Sequence, residues 1–189
     1  MSANPFDQAC RYWLKKNPLD LIGWSLGLSP TEFEFHGWAD TRAVPYPGDP
    51  DQVCDTVAQL SDPESYLPWL IPFEFQSEPD HLMFGRILRY LAGLWQELKP
   101  NRQRGDRFEV GAVVVNLTGR GHTSRDMRWA KAGLQTTLGV RERDLADEDA
   151  HEILAGMEAG TVTRSVLPFV PLMRRGADAD IIEKWLTLA

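Results

Sequence analysis

The chain has 189 residues, 43% of them hydrophobic and 25% charged, which suits one folded domain with a proper core and excludes a disordered chain. A net charge of −7 argues against a broad nucleic-acid surface, because phosphate contacts need clustered lysine and arginine. No apolar run is long enough to span a bilayer and no basic-then-apolar leader is visible, so a cytoplasmic location is expected.

Cys10 and Cys54 lack metal-ligand spacing and are too few for a disulfide framework, so both read as buried free thiols. His36, His81, His122 and His151 are scattered without an HxxxH pair, which disfavours a zinc site. The basic residues concentrate between Arg102 and Arg143, leaving room for a local basic patch. The seven tryptophans are dispersed, which favours core packing over base stacking.

Taken in order, Pro5–Lys16 carries Phe6, Cys10, Trp13 and Leu14 at helical spacing, and Pro18 interrupts it. A second short helix is predicted over Leu19–Leu26, ending at Gly27. Phe33–His36 alternates like a strand, and Pro45–Pro50 reads as a surface loop. Gln52–Leu60 is a predicted strand in which Val53, Asp55 and Val57 share a face. Ser61–Tyr66 then connects it, as a hairpin, to an apolar run, Trp69–Phe73, that leads into Glu74-Phe75-Gln76.

Alternation along that second strand sends Glu74 and Gln76 to one side and Phe75 to the other. A carboxylate beside a carboxamide at a strand end can hold a hard cation. A neighbouring strand bearing Asp55 would bring a third polar side chain to the same place. Ser77–Asp80 breaks the strand, and a helix is predicted from Asp80, as N-cap, to about Leu98. Its apolar stripe reads Phe84, Ile87, Leu88, Leu91, Leu94, Trp95 and Leu98, with Arg86, Tyr90 and Glu97 off it. Val110–Leu117 is a near-continuous apolar run, as in a strand covered on both faces. Gly119-Arg120-Gly121 turns the chain, and a further strand is expected over Gln135–Arg141. From Asp147 the pattern is helical: Ala150, Ile153, Leu154 and Met157 form a stripe that Gly160 stops. Val166–Met173 is too interrupted by proline for one regular helix, and Ile181–Leu188 closes the chain as a short one.

The order helix, strand with Asp55, strand with Glu74-x-Gln76, helix, apolar strand resembles the core of PD-(D/E)XK nucleases. The longer stretch EFQSEPDHLMFGRILRYL, the strand GAVVVNLTG and the late VLPFVPLM are similar to the Rpn/YhgA-like branch, the recombination-promoting nucleases and transposase-like proteins. The resemblance spans roughly residues 40–189. It implies an α/β fold, a central mixed β-sheet flanked by helices and restriction-endonuclease-like. It also implies a single domain over 1–189, with its core at about 40–145 and a helical C-terminal segment at about 147–189. Asp55 and Glu74 are then ligands for Mg²⁺, with Mn²⁺ as a substitute, and Gln76 stands where many relatives have lysine. An acidic residue from the first helices would complete the site, with Asp7, Asp20, Glu32 and Asp40 available. Arg86 and Tyr90 would meet the scissile phosphate, and Gly119–Arg128, with Arg120 and Arg125, would be a DNA-contacting loop. The implied activity is metal-dependent endonucleolytic hydrolysis of DNA, with a homo-oligomer left open. The rival expectation, drawn from the missing lysine and the acidic charge, is a catalytically inactive binding or assembly module on the same fold.

Overall fold

The computed structural model describes residues 5–39, 56–64, 67–97 and 108–189. Helix α1 (Pro5–Lys16) buries Leu14 and lays Cys10 and Trp13 on the main core. Pro18, which lacks the N–H that a first helical turn leaves unsatisfied, opens α2 (Pro18–Leu26). Gly27 ends that helix at φ +75°, a left-handed position that glycine takes without steric cost, and its N–H returns to the carbonyls of Gly23 and Trp24.

Three strands follow as an antiparallel meander: β1 (Glu34–Trp38), β2 (Val57–Ser61) and β3 (Trp69–Gln76). Helix α3 (Met83–Glu97) crosses over and delivers β4 (Glu109–Val110) and β5 (Val113–Asn116) parallel to β3. Strand β8 (Arg141–Asp144) adds, also parallel, on the far side of β5. The sheet therefore runs β1-β2-β3-β5-β8, with β4 beside the start of β3. Between β5 and β8 the chain makes a separate antiparallel ribbon of β6 (Arg125–Trp129) and β7 (Leu134–Leu138). Helix α4 (Ala150–Glu158), a 3-10 stretch over Arg164–Leu172 and α5 (Ala179–Leu188) complete the chain. The fold is α/β with a mixed central sheet and helices. No helix among the described residues is long and apolar enough to cross a membrane.

The two faces of the sheet bury separate clusters. Ile71, Phe73 and Phe75 of β3 join Val113 and Val115 of β5 against Leu14, Leu21 and Ile22 of the first two helices and Leu154, Val166 and Ile181 of the last segments. On the opposite face Leu70 and Val114 meet Met83, Ile87, Tyr90, Leu91 and Leu94 of α3.

Four expectations need correction. The sheet begins at Glu34, ahead of the expected core boundary near residue 40. Val110–Leu117 is two short strands, because Gly111-Ala112 leaves the ladder between β4 and β5. Gln135–Arg141 is likewise two elements, β7 and β8, parted by Gly139-Val140. The buried stripe of α3 is centred on Ile87 and Tyr90, leaving Leu88 41% and Trp95 54% exposed. An apolar arc that wide does not reveal its own centre; the strands beneath it choose which residues go down. Trp95 and Trp129 are thus surface residues, whereas Trp13, Trp24, Trp38, Trp69 and Trp185 pack on the core as expected.

Candidate functional site

The alternation of β3 is the origin of the site. Phe73 and Phe75 point into the main core, where Phe75 stacks on Phe169, and that commits Glu74 and Gln76 to the α3 face. Glu74 is 3% exposed and Gln76 5%. Arg11 of α1 reaches the Glu74 carboxylate, Nη2 to Oε2 3.3 Å, and the Tyr90 hydroxyl of α3 donates to the same group. Gln76 Oε1 accepts the Asp80 backbone N–H at 2.8 Å, which joins the strand end to the start of α3. Asp80 in turn accepts the Leu82 N–H and holds the Arg86 guanidinium at 2.7 Å; it closes the turn that leads into α3, which starts at Met83 where the sequence predicts Asp80.

Burial pushes the Glu74 carboxyl above its ordinary range, against the opposing pull of Arg11, Arg86 and the Tyr90 hydroxyl; the nearby Asp7 carboxyl adds to the upward push. Asp7 is itself raised, by burial first, with Arg11 and Arg86 opposing. Its Oδ1 is buried and accepts no hydrogen bond. Cys10, one turn along α1, is half-buried, and burial together with the Asp7 charge lifts its thiol to about 11, leaving it un-ionised at neutral pH.

Asp7 is thus the acidic residue of the first helices that stands by Glu74. Asp20 accepts from the hydroxyls of Thr163 and Ser165, and Glu32 accepts the Ser29 N–H in a turn. Asp40, Cys54 and Asp55, together with the Pro45–Pro50 loop, lie outside the described residues. Arg86 and Tyr90 both reach the site. Arg120 instead pairs with Asp147, Nε to Oδ1 2.8 Å. Arg125 lies over the Phe84 ring, 5.0 Å from its centre, at the first turn of α3. The expected loop over Gly119–Arg128 is only partly a loop, since β6 begins at Arg125.

Several participants were not singled out from the sequence. Arg11 has a readable signal: Asp7, Arg11 and Leu14 fall on one helical stripe. Strand register also sets Gln76, Asn116 and Asp144 in one row, and Glu74, Val114 and Glu142 in the next. Asn116, fully buried, donates from Nδ2 to Asp144 at 2.6 Å and to Glu142 at 3.3 Å. The loop after β5 closes over this row: Gly121 N–H donates to Asp144, while the Thr123 N–H and hydroxyl both donate to Glu142. The alternation of Glu142 and Asp144 along β8 was the signal for it.

A second group, His151 of α4 with Asp178 and Asp180 at the start of α5, has donor atoms within 4.8 Å of one another. There the Arg175 guanidinium already donates to Asp178 at 3.1 Å. Comparison with protein-family models, with curated proteins and with solved structures finds no match to this chain.

Proposed function

We propose that the chain is a metal-dependent endonuclease that hydrolyses DNA phosphodiester bonds, with Glu74, Gln76 and Asp55 at its centre. The observation that carries this reading is the convergence on buried Glu74 of Asp7 and Arg11 from α1 and of Tyr90 and Arg86 from α3. The order of elements supports it as well: helix, strand β2, strand β3 with Glu74 and Gln76, helix α3 and apolar strand β5 come in the sequence that the PD-(D/E)XK resemblance implies.

The residues fit a hard divalent cation such as Mg²⁺ or Mn²⁺. The donors are oxygens, Asp7 Oδ1 is buried with nothing donating to it, and burial disfavours the negative charge of both carboxylates. Glu74 and Asp7, with Asp55, would hold the ion, and when bound it would polarise a phosphate oxygen and acidify a water. Gln76 carries no charge; its amide orients a water or a phosphate oxygen, and its carbonyl is held by the Asp80 N–H. Arg86, fixed by Asp80 at the rim, supplies positive charge toward the phosphate, as a lysine at position 76 would have done.

One observation favours the rival reading, a nuclease-fold binding module without activity. Arg11 already neutralises Glu74, occupying the place of a cation's charge. Nicking of supercoiled plasmid at low salt with Mg²⁺ or Mn²⁺ separates the two. Cleavage by the wild type that Glu74→Ala and Asp55→Ala both abolish supports the nuclease. A folded wild type that does not cleave, and whose Mn²⁺ binding by calorimetry is absent, sinks it in favour of the module.

A further inference from the structure

The β6–β7 ribbon is the part of the molecule that the site does not explain. Every residue from Ser124 to Thr137 is exposed. A two-stranded ribbon is marginal in water unless one face is covered, so its exposure needs a reason. Cross-strand register gives it two faces. Met127 and Trp129 share one with Leu134 and Thr136, and Asp126 and Arg128 share the other with Gln135 and Thr137. The apolar face is open, with Trp129 64%, Leu134 60% and Met127 44% exposed. Lys131 sits at the tip, in the 3-10 turn Ala130–Ala132.

Charge decides what covers it. The ribbon holds three cations, Arg125, Arg128 and Lys131, against one anion, Asp126, in a chain whose net charge is −7. Asp126 is engaged by the Thr137 hydroxyl at 2.9 Å. Among the described residues neither Arg128 nor Lys131 forms an ion pair. The ribbon is rooted where Arg125 lies over Phe84 and Leu138 enters the α3 core cluster. Its root is therefore at the first turn of α3, the turn that also carries Arg86. A positive ribbon with an exposed apolar face fits a polyanion whose grooves present apolar base edges. Its two-strand width also suits the major groove of a duplex.

We infer that the β6–β7 ribbon is a duplex-DNA-gripping arm, in which Arg128 and Lys131 contact phosphates and Trp129 with Leu134 packs against the groove. The inference rests on the nucleic-acid reading of the site and assigns how the substrate is held, replacing Arg120, which Asp147 retains.

The test is fluorescence anisotropy of a labelled 30-base-pair duplex with the full chain in EDTA, so that cleavage does not intrude. The wild type should bind. Arg128→Ala with Lys131→Ala should bind at least tenfold more weakly and with a salt slope shallower by about two, at roughly 0.9 per phosphate contact. Trp129→Ala should weaken binding with little change in slope, and all three substitutions, being on the surface, should leave the thermal midpoint in place. Wild-type affinity in the double variant overturns the arm. So does a wild-type dimer in sedimentation that Trp129→Ala dissociates while duplex affinity is unchanged, since the ribbon would then be a self-association arm. The two proposals fail separately: if Glu74→Ala still nicks plasmid while the ribbon variant loses binding, the arm stands and the catalytic assignment falls. If the ribbon variant binds and nicks normally, the reverse holds.

Discussion

Gly121→Ala is a strict test of how the polar row at the strand ends is held. A methyl on Gly121 would run into Glu142 Oε1 and Asn116 Nδ2, both far inside contact distance. Gly121 does not occupy the left-handed region, so the cost is steric and polar, with no backbone share. To admit the methyl, Glu142 and Asn116 must move apart, which breaks their 3.3 Å bond and disturbs the Thr123 donors to Glu142. Asn116 is fully buried, so its amide has no water to turn to. A buried polar group left unsatisfied costs about 1–3 kcal/mol, and two are at stake, which after partial relaxation gives a loss of about 3 kcal/mol. For a chain of this size that lowers the thermal midpoint by roughly 6–12 °C, measurable by circular dichroism. Gly139→Ala is the control, because a Cβ there meets nothing within 4 Å; it should stay within about 0.5 kcal/mol of wild type. A Gly121→Ala protein within 1 kcal/mol of wild type by the same measurement would refute the claim that this network is tightly closed.

Other expectations follow from single residues. Because the Glu74 carboxyl is raised, the folded chain keeps its proton longer than the unfolded chain; the stability it contributes is complete below about pH 4.5 and is lost as pH rises through the folded value. In EDTA, Glu74→Gln should therefore melt higher than wild type at neutral pH, and the difference should vanish on acidification; a Glu74→Gln protein that melts lower at pH 7 contradicts the shift. Gly85→Ala in α3, where a Cβ meets nothing within 4 Å, should stabilise by about 0.5–1 kcal/mol in urea unfolding, and a loss would mean that the helix face is not open there. Leu154→Ala, fully buried in α4 against the main core, should cost about 2–5 kcal/mol; a cost under 1 kcal/mol would show that the C-terminal segment packs loosely.

Local chemistry was legible in the sequence wherever a short-range rule decides the outcome. Pro18 and Gly27 bound α2, Gly160 stops α4 at φ +72°, and the prolines at 168 and 171 leave a 3-10 stretch where a regular helix would not hold. The shared face of Glu74 and Gln76 also follows from the period of a strand alone. The partners of that face did not follow. Arg11 stands 63 positions from Glu74 in the chain, and Asn116 stands 28 from Asp144. Only the packing of α1 across β3, and the parallel register of β5 with β8, brings them together. Tyr90 lies off the apolar stripe that the sequence shows for α3, yet the sheet buries its ring and Glu74 accepts from its hydroxyl, so a half-polar residue could go down. The ribbon shows the same division. The sequence by itself determined the basic residues of 119–131, while tertiary structure decided that Asp147 retains Arg120 and that Arg128 and Lys131 lie on an exposed ribbon. Periodicity and capping act over a few residues of chain; which charges meet is settled by contacts between elements, and those depend on the whole fold.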